Sequence, residues 1–278
     1  MRLAGNRGYV FTGQCAAQFD KRPWRGFAGL LFNIGGVMLC AAKRHPAERE
    51  KVARQMQNFT IARENMIESQ VRPNGITDRR LIEAMSQVPR EQFVPDHLKP
   101  IAYMDEDIAL PVGEGGSRRY LLEPMAYARL VQAARVQPGD IVLDVGGGTG
   151  YSAAVLSHLA QTVVAIESDA AMVQTANENM LRLEASNVAV IESGLKDGHA
   201  AEAPYDAIII NGRAAAIPDE LLAQLADGGR LVAVVGTTDV AQARVYTRSG
   251  DQVADRHVFD ASIPALAEFV APPPGFQF

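Results

Sequence analysis

Residues 142–153 read "VLDVGGGTGYSA". An apolar run carrying one acid, Asp144, enters Gly146, Gly147, Gly148 and Gly150, and an apolar helical pattern leaves them. A loop that follows a strand and opens a helix turns its backbone N–H groups outward at the carboxyl edge of a sheet, where α/β proteins bind ligands. Four glycines in five residues carry a conformational cost that a tight strand–helix turn alone hardly justifies. A triphosphate loop of the form GxxxxGK[ST] needs a lysine, and Tyr151-Ser152 follows Gly150 instead. A dinucleotide fingerprint GxGxxG puts Tyr151 at the third glycine, where it obstructs close packing of helix on strand. The spacing present is G-x-G-x-G, with Asp144 two residues ahead of it.

The surrounding chain supports the strand–loop–helix reading. Short apolar runs at 141–145, 162–167, 188–192, 206–211 and 230–235 alternate with helical patterns. Among these patterns, "DAAMVQTANENMLRLE" points Met172, Ala176, Met180 and Leu183 inward. The strands are continuously rather than alternately apolar, which means burial on both faces and predicts a doubly wound, mostly parallel, seven-stranded α/β sheet. "QARVYTRSGDQVADRHVF" predicts a strand, a turn at Ser249-Gly250-Asp251 and a second strand. Upstream, "ITDRRLIEAMSQVP" predicts a helix capped by Thr77 or Asp78 and stopped at Pro89, and "LLEPMAYARLVQAARV" predicts another entered near Pro124. These helices form a small N-terminal helical module over 56–135 beside the α/β domain at 136–278.

Charge divides the chain differently. Residues 1–55 hold ten Lys/Arg against three Asp/Glu, and the remainder holds 17 against 29. An acidic body argues against duplex nucleic acid as partner. The apolar run near Phe27–Ala42 is shorter than a spanning helix needs and is interrupted by Asn33 and glycines, so no membrane role is expected. Residues 1–55 are read as an extension outside the fold, with Met56 as the natural start. Both cysteines, Cys15 and Cys40, lie in that extension, and the five histidines are scattered. This removes a cysteine nucleophile and a zinc site from the body, and a cytoplasmic location is expected.

Glu167 closes the apolar run "TVVAIE", 17 residues past Gly150, where a carboxylate can accept hydrogen bonds from both hydroxyls of a ribose. With the G-x-G-x-G spacing, this resembles the motif of class I S-adenosylmethionine-dependent methyltransferases. Their cofactor carries a zwitterion, a sulfonium and no phosphate, and so asks for carboxylates and close backbone approach rather than a lysine. Over about residues 60–250 the chain further resembles the protein-L-isoaspartate O-methyltransferase family. The segments that carry the resemblance are "MIESQVRPNGITDRRLIEAMSQVPREQFVP", "AYMDEDIALPVGEG", the glycine-loop segment, and "APYDAIIINGRAAAIPDELLAQLADGGRLVAVVG". The resemblance implies methyl transfer from S-adenosyl-L-methionine to the free carboxylate of L-isoaspartyl (or D-aspartyl) residues in damaged proteins, as the start of repair. It implies a cofactor set of Asp144, Gly146, Gly147, Gly148, Gly150, Glu167, Gly194 and Leu195. The partner is a damaged protein or peptide, and the oligomeric state is left open.

The chain departs from the family pattern at three places. A hydroxyl-bearing loop is replaced by "GEGGSRRYLLEP" (113–124), where Ser117 offers the only small hydroxyl and Arg118, Arg119 and Tyr120 follow. Ser117 and Arg119 are the expected catalytic residues and Arg118 a substrate contact, through bidentate pairing of an arginine with the substrate carboxylate; solvated loop charges are the alternative. "ESGLKDG" has Gly194 where the family has an adenine-reading aspartate, leaving Asp197 as a substitute. "NGR" (211–213) replaces a small-residue run and puts Asn211 near the substrate mouth, unless it caps the turn that follows. Two other functions stay open: methylation of a different carboxylate or small molecule, and S-adenosylmethionine binding without turnover.

Overall fold

The computed structural model describes residues 46–111 and 116–270. The basic stretch up to residue 45, the glycines at 113 and 115, and the Pro-rich tail lie outside the described residues. Helix α1 spans Pro46–Met66, so the boundary expected at residue 55 falls within a helix. A tight turn over Ile67–Val71, a 3-10 turn over Arg72–Asn74 and Gly75, with φ 78°, reverse the chain. Helix α2 spans Arg79–Gln87. Its N-cap is Asp78, whose carboxylate accepts from the backbone N–H groups of Arg80 and Leu81; a cap of this kind contributes about 1 kcal/mol. A short antiparallel pair follows, β1 (Ile108–Leu110) and β2 (Arg119–Leu121). Pro124 then opens α3 (Pro124–Ala134), as its fixed φ favours at a first helical position.

The main sheet has seven strands: β3 (Ile141–Val145), β4 (Thr162–Glu167), β5 (Val188–Glu192), β6 (Tyr205–Ala214), β7 (Leu225–Val235), β8 (Ala241–Ser249) and β9 (Gln252–Ala261). Their spatial order is β5-β4-β3-β6-β7-β8-β9. The first five are parallel, and β8 and β9 add antiparallel at one edge. The expected doubly wound, mostly parallel seven-stranded fold is therefore the one found. Helices α4 (Tyr151–Ser157), α5 (Ala170–Arg182) and α6 (Asp219–Ala223) are the connections. Chain order reverses between β3 and β6, and this is where such sheets open a crevice at their carboxyl ends.

Alternate residues of the central strands feed two separate cores. Val142, Val163, Ala207 and Val232 pack with the helices of the N-terminal module. Leu143, Val145, Ile208 and Leu231 pack on the opposite face with Leu195, Leu266 and Phe269. The module thus covers one sheet face and shares a core with it. The segment Ile263–Phe269 forms a strap along the end of β6. Arg213 N–H donates to Pro264 O at 2.9 Å, Leu266 N–H to Arg213 O at 3.1 Å, and Ala215 N–H to Phe269 O at 2.9 Å.

Candidate functional site

The glycine loop joins β3 to α4. Gly146 N–H donates to Ile166 O at 2.9 Å, which ties the loop to the end of β4. Thr149 holds it from below, its hydroxyl donating to Phe93 O at 2.6 Å, and Asn179 donates to Thr149 O at 2.9 Å. Two of the glycines are needed for local reasons. Gly148 has φ 59°, and a Cβ there would lie 2.8 Å from Leu110 Cδ1; a Cβ on Gly147 would lie 2.7 Å from Asp144 Oδ2. Tyr151, which breaks the dinucleotide fingerprint, is a core residue. Its ring is buried, edge-on to Phe93 at 5.4 Å and 4.9 Å from the Arg90 guanidinium carbon.

Asp144 is fully buried beneath this loop. Its Oδ1 accepts from Ser152 Oγ and, at 2.7 Å, from Asn211 Nδ2, while Oδ2 has no partner. Burial, helped by the Glu167 charge, pushes its pKa up to about 6 against these two hydrogen bonds. An unpartnered buried carboxylate oxygen costs free energy, and it suits a cationic group arriving over the loop. Asn211 is buried and also donates to Val145 O at 3.1 Å. It lies under the loop beside Asp144, neither lining an open mouth nor capping a turn. Arg213 donates to Ile263 O and Gly236 O at 3.4 and 3.3 Å, pinning the strap.

Glu167 ends β4, next in the sheet to β3 and buried. Its carboxylate accepts from the N–H groups of Gly148, Ser168 and Asp169 at 3.1, 2.7 and 3.3 Å. It also pairs with Arg119, whose Nε is 3.0 Å from both carboxylate oxygens and whose Nη2 is 2.8 Å from one. Arg119 is therefore not a solvated loop charge; its side chain has no exposure. The same guanidinium reaches Glu268 of the strap at 2.6 and 3.1 Å and Ser168 Oγ at 2.9 Å. Arg118 is exposed and Ser117 half-buried. Both precede β2 in sequence, and among the described residues Ser117 makes no side-chain hydrogen bond given by the structure.

Leu195 is buried, and its Cδ1 lies 3.2 Å from where a Cβ on Gly146 would be. Gly194 is overhung by Asp197, whose Oδ2 would be 2.3 Å from a Cβ at 194. The Asp197 carboxylate thus stands at the position left without a side chain by Gly194. On the module side, Glu123 sits near Asp107 and Asp105, and its pKa rises to about 7 through partial burial and then those two charges. Glu268, Leu266 and Ser168 were missed by sequence reasoning. Ser168 follows Glu167 directly, but the strap residues lie about a hundred positions away and carry no motif. Among the described residues there is no cluster able to hold a metal, and no helix is long and apolar enough to cross a membrane.

The glycine loop, two buried carboxylates and the Gly194–Asp197 turn meet at the carboxyl edge of β3, β4 and β5. Asp144 Oδ2 lacks a partner, and Gly194, Leu195 and Asp197 follow β5 beside the glycine loop. Glu167 is engaged at both oxygens and Asp144 at Oδ1 alone. Comparison with known proteins identifies relatives of the chain. The family model for protein-L-isoaspartate(D-aspartate) O-methyltransferase matches residues 62–262. The protein-L-isoaspartate O-methyltransferase of Koribacter versatilis is 40% identical over 185 residues, 66% of this chain and 80% of that one. The protein-L-isoaspartate O-methyltransferase 1 of Syntrophobacter fumaroxidans is 39% identical over 197 residues, 71% of this chain and 89% of that one. A solved protein-L-isoaspartate O-methyltransferase superposes with TM-score 0.66 at 23% identity, covering 75% of this chain and 67% of that one. A Plasmodium falciparum chain described as the same enzyme, solved with S-adenosyl-L-homocysteine, superposes with TM-score 0.62 at 21% identity over 74% and 98% of the two chains. These two superpositions show the shared fold.

Proposed function

The chain belongs to the protein-L-isoaspartate(D-aspartate) O-methyltransferase family, and on that premise we propose that it methylates the free carboxylate of L-isoaspartyl (or D-aspartyl) residues in damaged proteins. The methyl donor is S-adenosyl-L-methionine, and the ester formed opens the route of repair. The reading includes a cytoplasmic location and a damaged protein or peptide as partner. One observation carries it: two buried carboxylates, Asp144 one residue before the end of β3 and Glu167 at the end of the adjacent parallel β4, stand against one glycine loop.

The chemistry asks little of the protein as acid or base. A substrate carboxylate, with a pKa of about 3.5–4, is ionised and nucleophilic at neutral pH. The bound cofactor supplies the electrophilic methyl group. What the chain supplies is alignment and exclusion of water. The backbone of Gly146, Gly147, Gly148 and Gly150 gives close approach, Asp144 Oδ2 receives a cationic group, and Glu167 reads the ribose. Gly194 and Leu195 frame the adenine, with Asp197 placed to accept from its amino group. Asn211 spends its amide on Asp144 and Val145, so it is assigned to positioning Asp144 rather than to substrate. Ser117 and Arg118 remain the substrate-side residues. Arg119, expected to act on the substrate, is committed to two carboxylates in this arrangement.

That rewritten loop supports a second reading, transfer to a different carboxylate on the same scaffold. Transfer of tritiated methyl to an isoaspartyl peptide, against its aspartyl twin, separates the two. Cofactor binding without transfer to the isoaspartyl peptide would reject the first.

A further inference from the structure

A carboxylate offers about four lone-pair sites, and those of Glu167 are filled from within the chain. Three backbone N–H groups and the Arg119 guanidinium occupy them. Two ribose hydroxyls cannot be received while Arg119 stands there. We propose that Arg119, clamped by Glu268, is a latch on the cofactor site. Its guanidinium takes the place on Glu167 that a ribose diol would take, and the cofactor binds by displacing it. The inference rests on the cofactor reading given above.

The arrangement around Arg119 is that of an exchange rather than of a permanent bridge. A permanent bridge needs one acid, and Arg119 has two. When it leaves Glu167 it keeps Glu268, so no buried cation is left unpaired, the condition that makes breaking a buried pair costly. Burial pushes the Glu268 pKa up, but its hydrogen bonds to Arg119 and Ser168 outweigh this and hold it below the ordinary glutamate value. The strap that brings Glu268 also covers the glycine loop. The Leu266 methyls lie 3.2 Å from where a Cβ on Gly146 would be, and its Cγ 2.7 Å from the same position on Gly212. One segment therefore both holds the latch and roofs the cradle. Closed chains lower the apparent cofactor affinity in proportion to the fraction that is open.

The test is the calorimetric affinity for S-adenosylhomocysteine of the full chain and of a double variant, Arg119→Gln with Glu268→Gln, which removes one charge of each sign. The latch predicts tighter binding by at least about tenfold. Arg119→Lys keeps the charge but loses the fork that spans Glu167; it should tighten binding in the same direction by less. That variant carries the test if the double variant does not fold. Equal or weaker binding by a folded variant, where the parent binds, overturns the latch alone. A merely structural Arg119 would lower the melting temperature without tightening binding, which also overturns it. Absence of binding by parent and variants alike overturns the cofactor reading and the latch with it.

Discussion

Asn211 Nδ2 donates to Asp144 Oδ1 across 2.7 Å, joining two residues that lie 67 positions apart in the chain. This bond ties the carboxyl end of β6 to the acid beneath the glycine loop at the point where strand order reverses. Asn211→Ala leaves a buried carboxylate oxygen short of a donor. It should cost about 1–3 kcal/mol of stability, read as a shift in denaturant midpoint. Cofactor affinity should fall with it, because Asp144 loses its orientation. A substrate-contacting Asn211 would instead change peptide affinity and leave stability alone.

The pH dependence of cofactor binding should follow Asp144, whose pKa is pushed up to about 6 by burial. The sign is opposite for folding and for binding. Between about pH 4 and pH 6 the folded chain holds a proton that the unfolded chain has released, so this group's contribution to stability falls as pH rises through that window and its full cost stands above it. A cationic ligand group at Oδ2 favours the ionised form. Affinity for S-adenosylhomocysteine should therefore be full above about pH 6 and decline below it, with proton release on binding. Asp144→Asn should remove the decline. Calorimetry across this range checks the profile, and a flat wild-type curve would sink the assignment.

Glu167→Ala removes both the ribose acceptor and a counter-ion of buried Arg119. Cofactor affinity should weaken by about 1–3 kcal/mol, the cost of polar partners left unpaired. The melting temperature should fall as well, because a buried cation loses one of its two acids. Unchanged affinity in a folded variant would refute the ribose role.

Gly148→Ala tests the cradle itself. The backbone there has φ 59°, and the added methyl would meet Leu110 Cδ1 at 2.8 Å. Holding a non-glycine residue in that conformation costs about 1–3 kcal/mol. Cofactor binding should be lost beyond what the stability change explains. Retention of wild-type affinity would mean that the loop backbone does not approach the ligand.

Most of the fold was legible in sequence because its elements are locally encoded. Asp78 caps α2 where the pattern placed a cap, and the apolar runs at 141–145, 162–167 and 188–192 are strands with those bounds. The runs beginning near 206 and 230 form longer strands than expected, because β6 runs on to Ala214, still paired with β7 while Arg213 also bridges to the strap, and β7 begins at Leu225. The glycine loop, Asp144 and Glu167 were legible for the same local reason. Arg119 was not legible as a buried residue: a charge in a polar loop reads as solvated, and its burial depends on Glu268, 149 positions away. Leu266 over Gly146 is equally non-local. Asp197 was legible only as a substitute, because its closeness to Gly194 is set by a turn rather than by spacing.

The most direct measurement is a single-turnover methyl transfer from labelled S-adenosylmethionine to a peptide carrying one isoaspartyl residue, run beside its aspartyl twin, with the methyl group located in the product by fragmentation. The account predicts label on the isoaspartyl α-carboxylate and none on the twin. Label on neither peptide while the chain binds S-adenosylhomocysteine, or equal label on both, would contradict it.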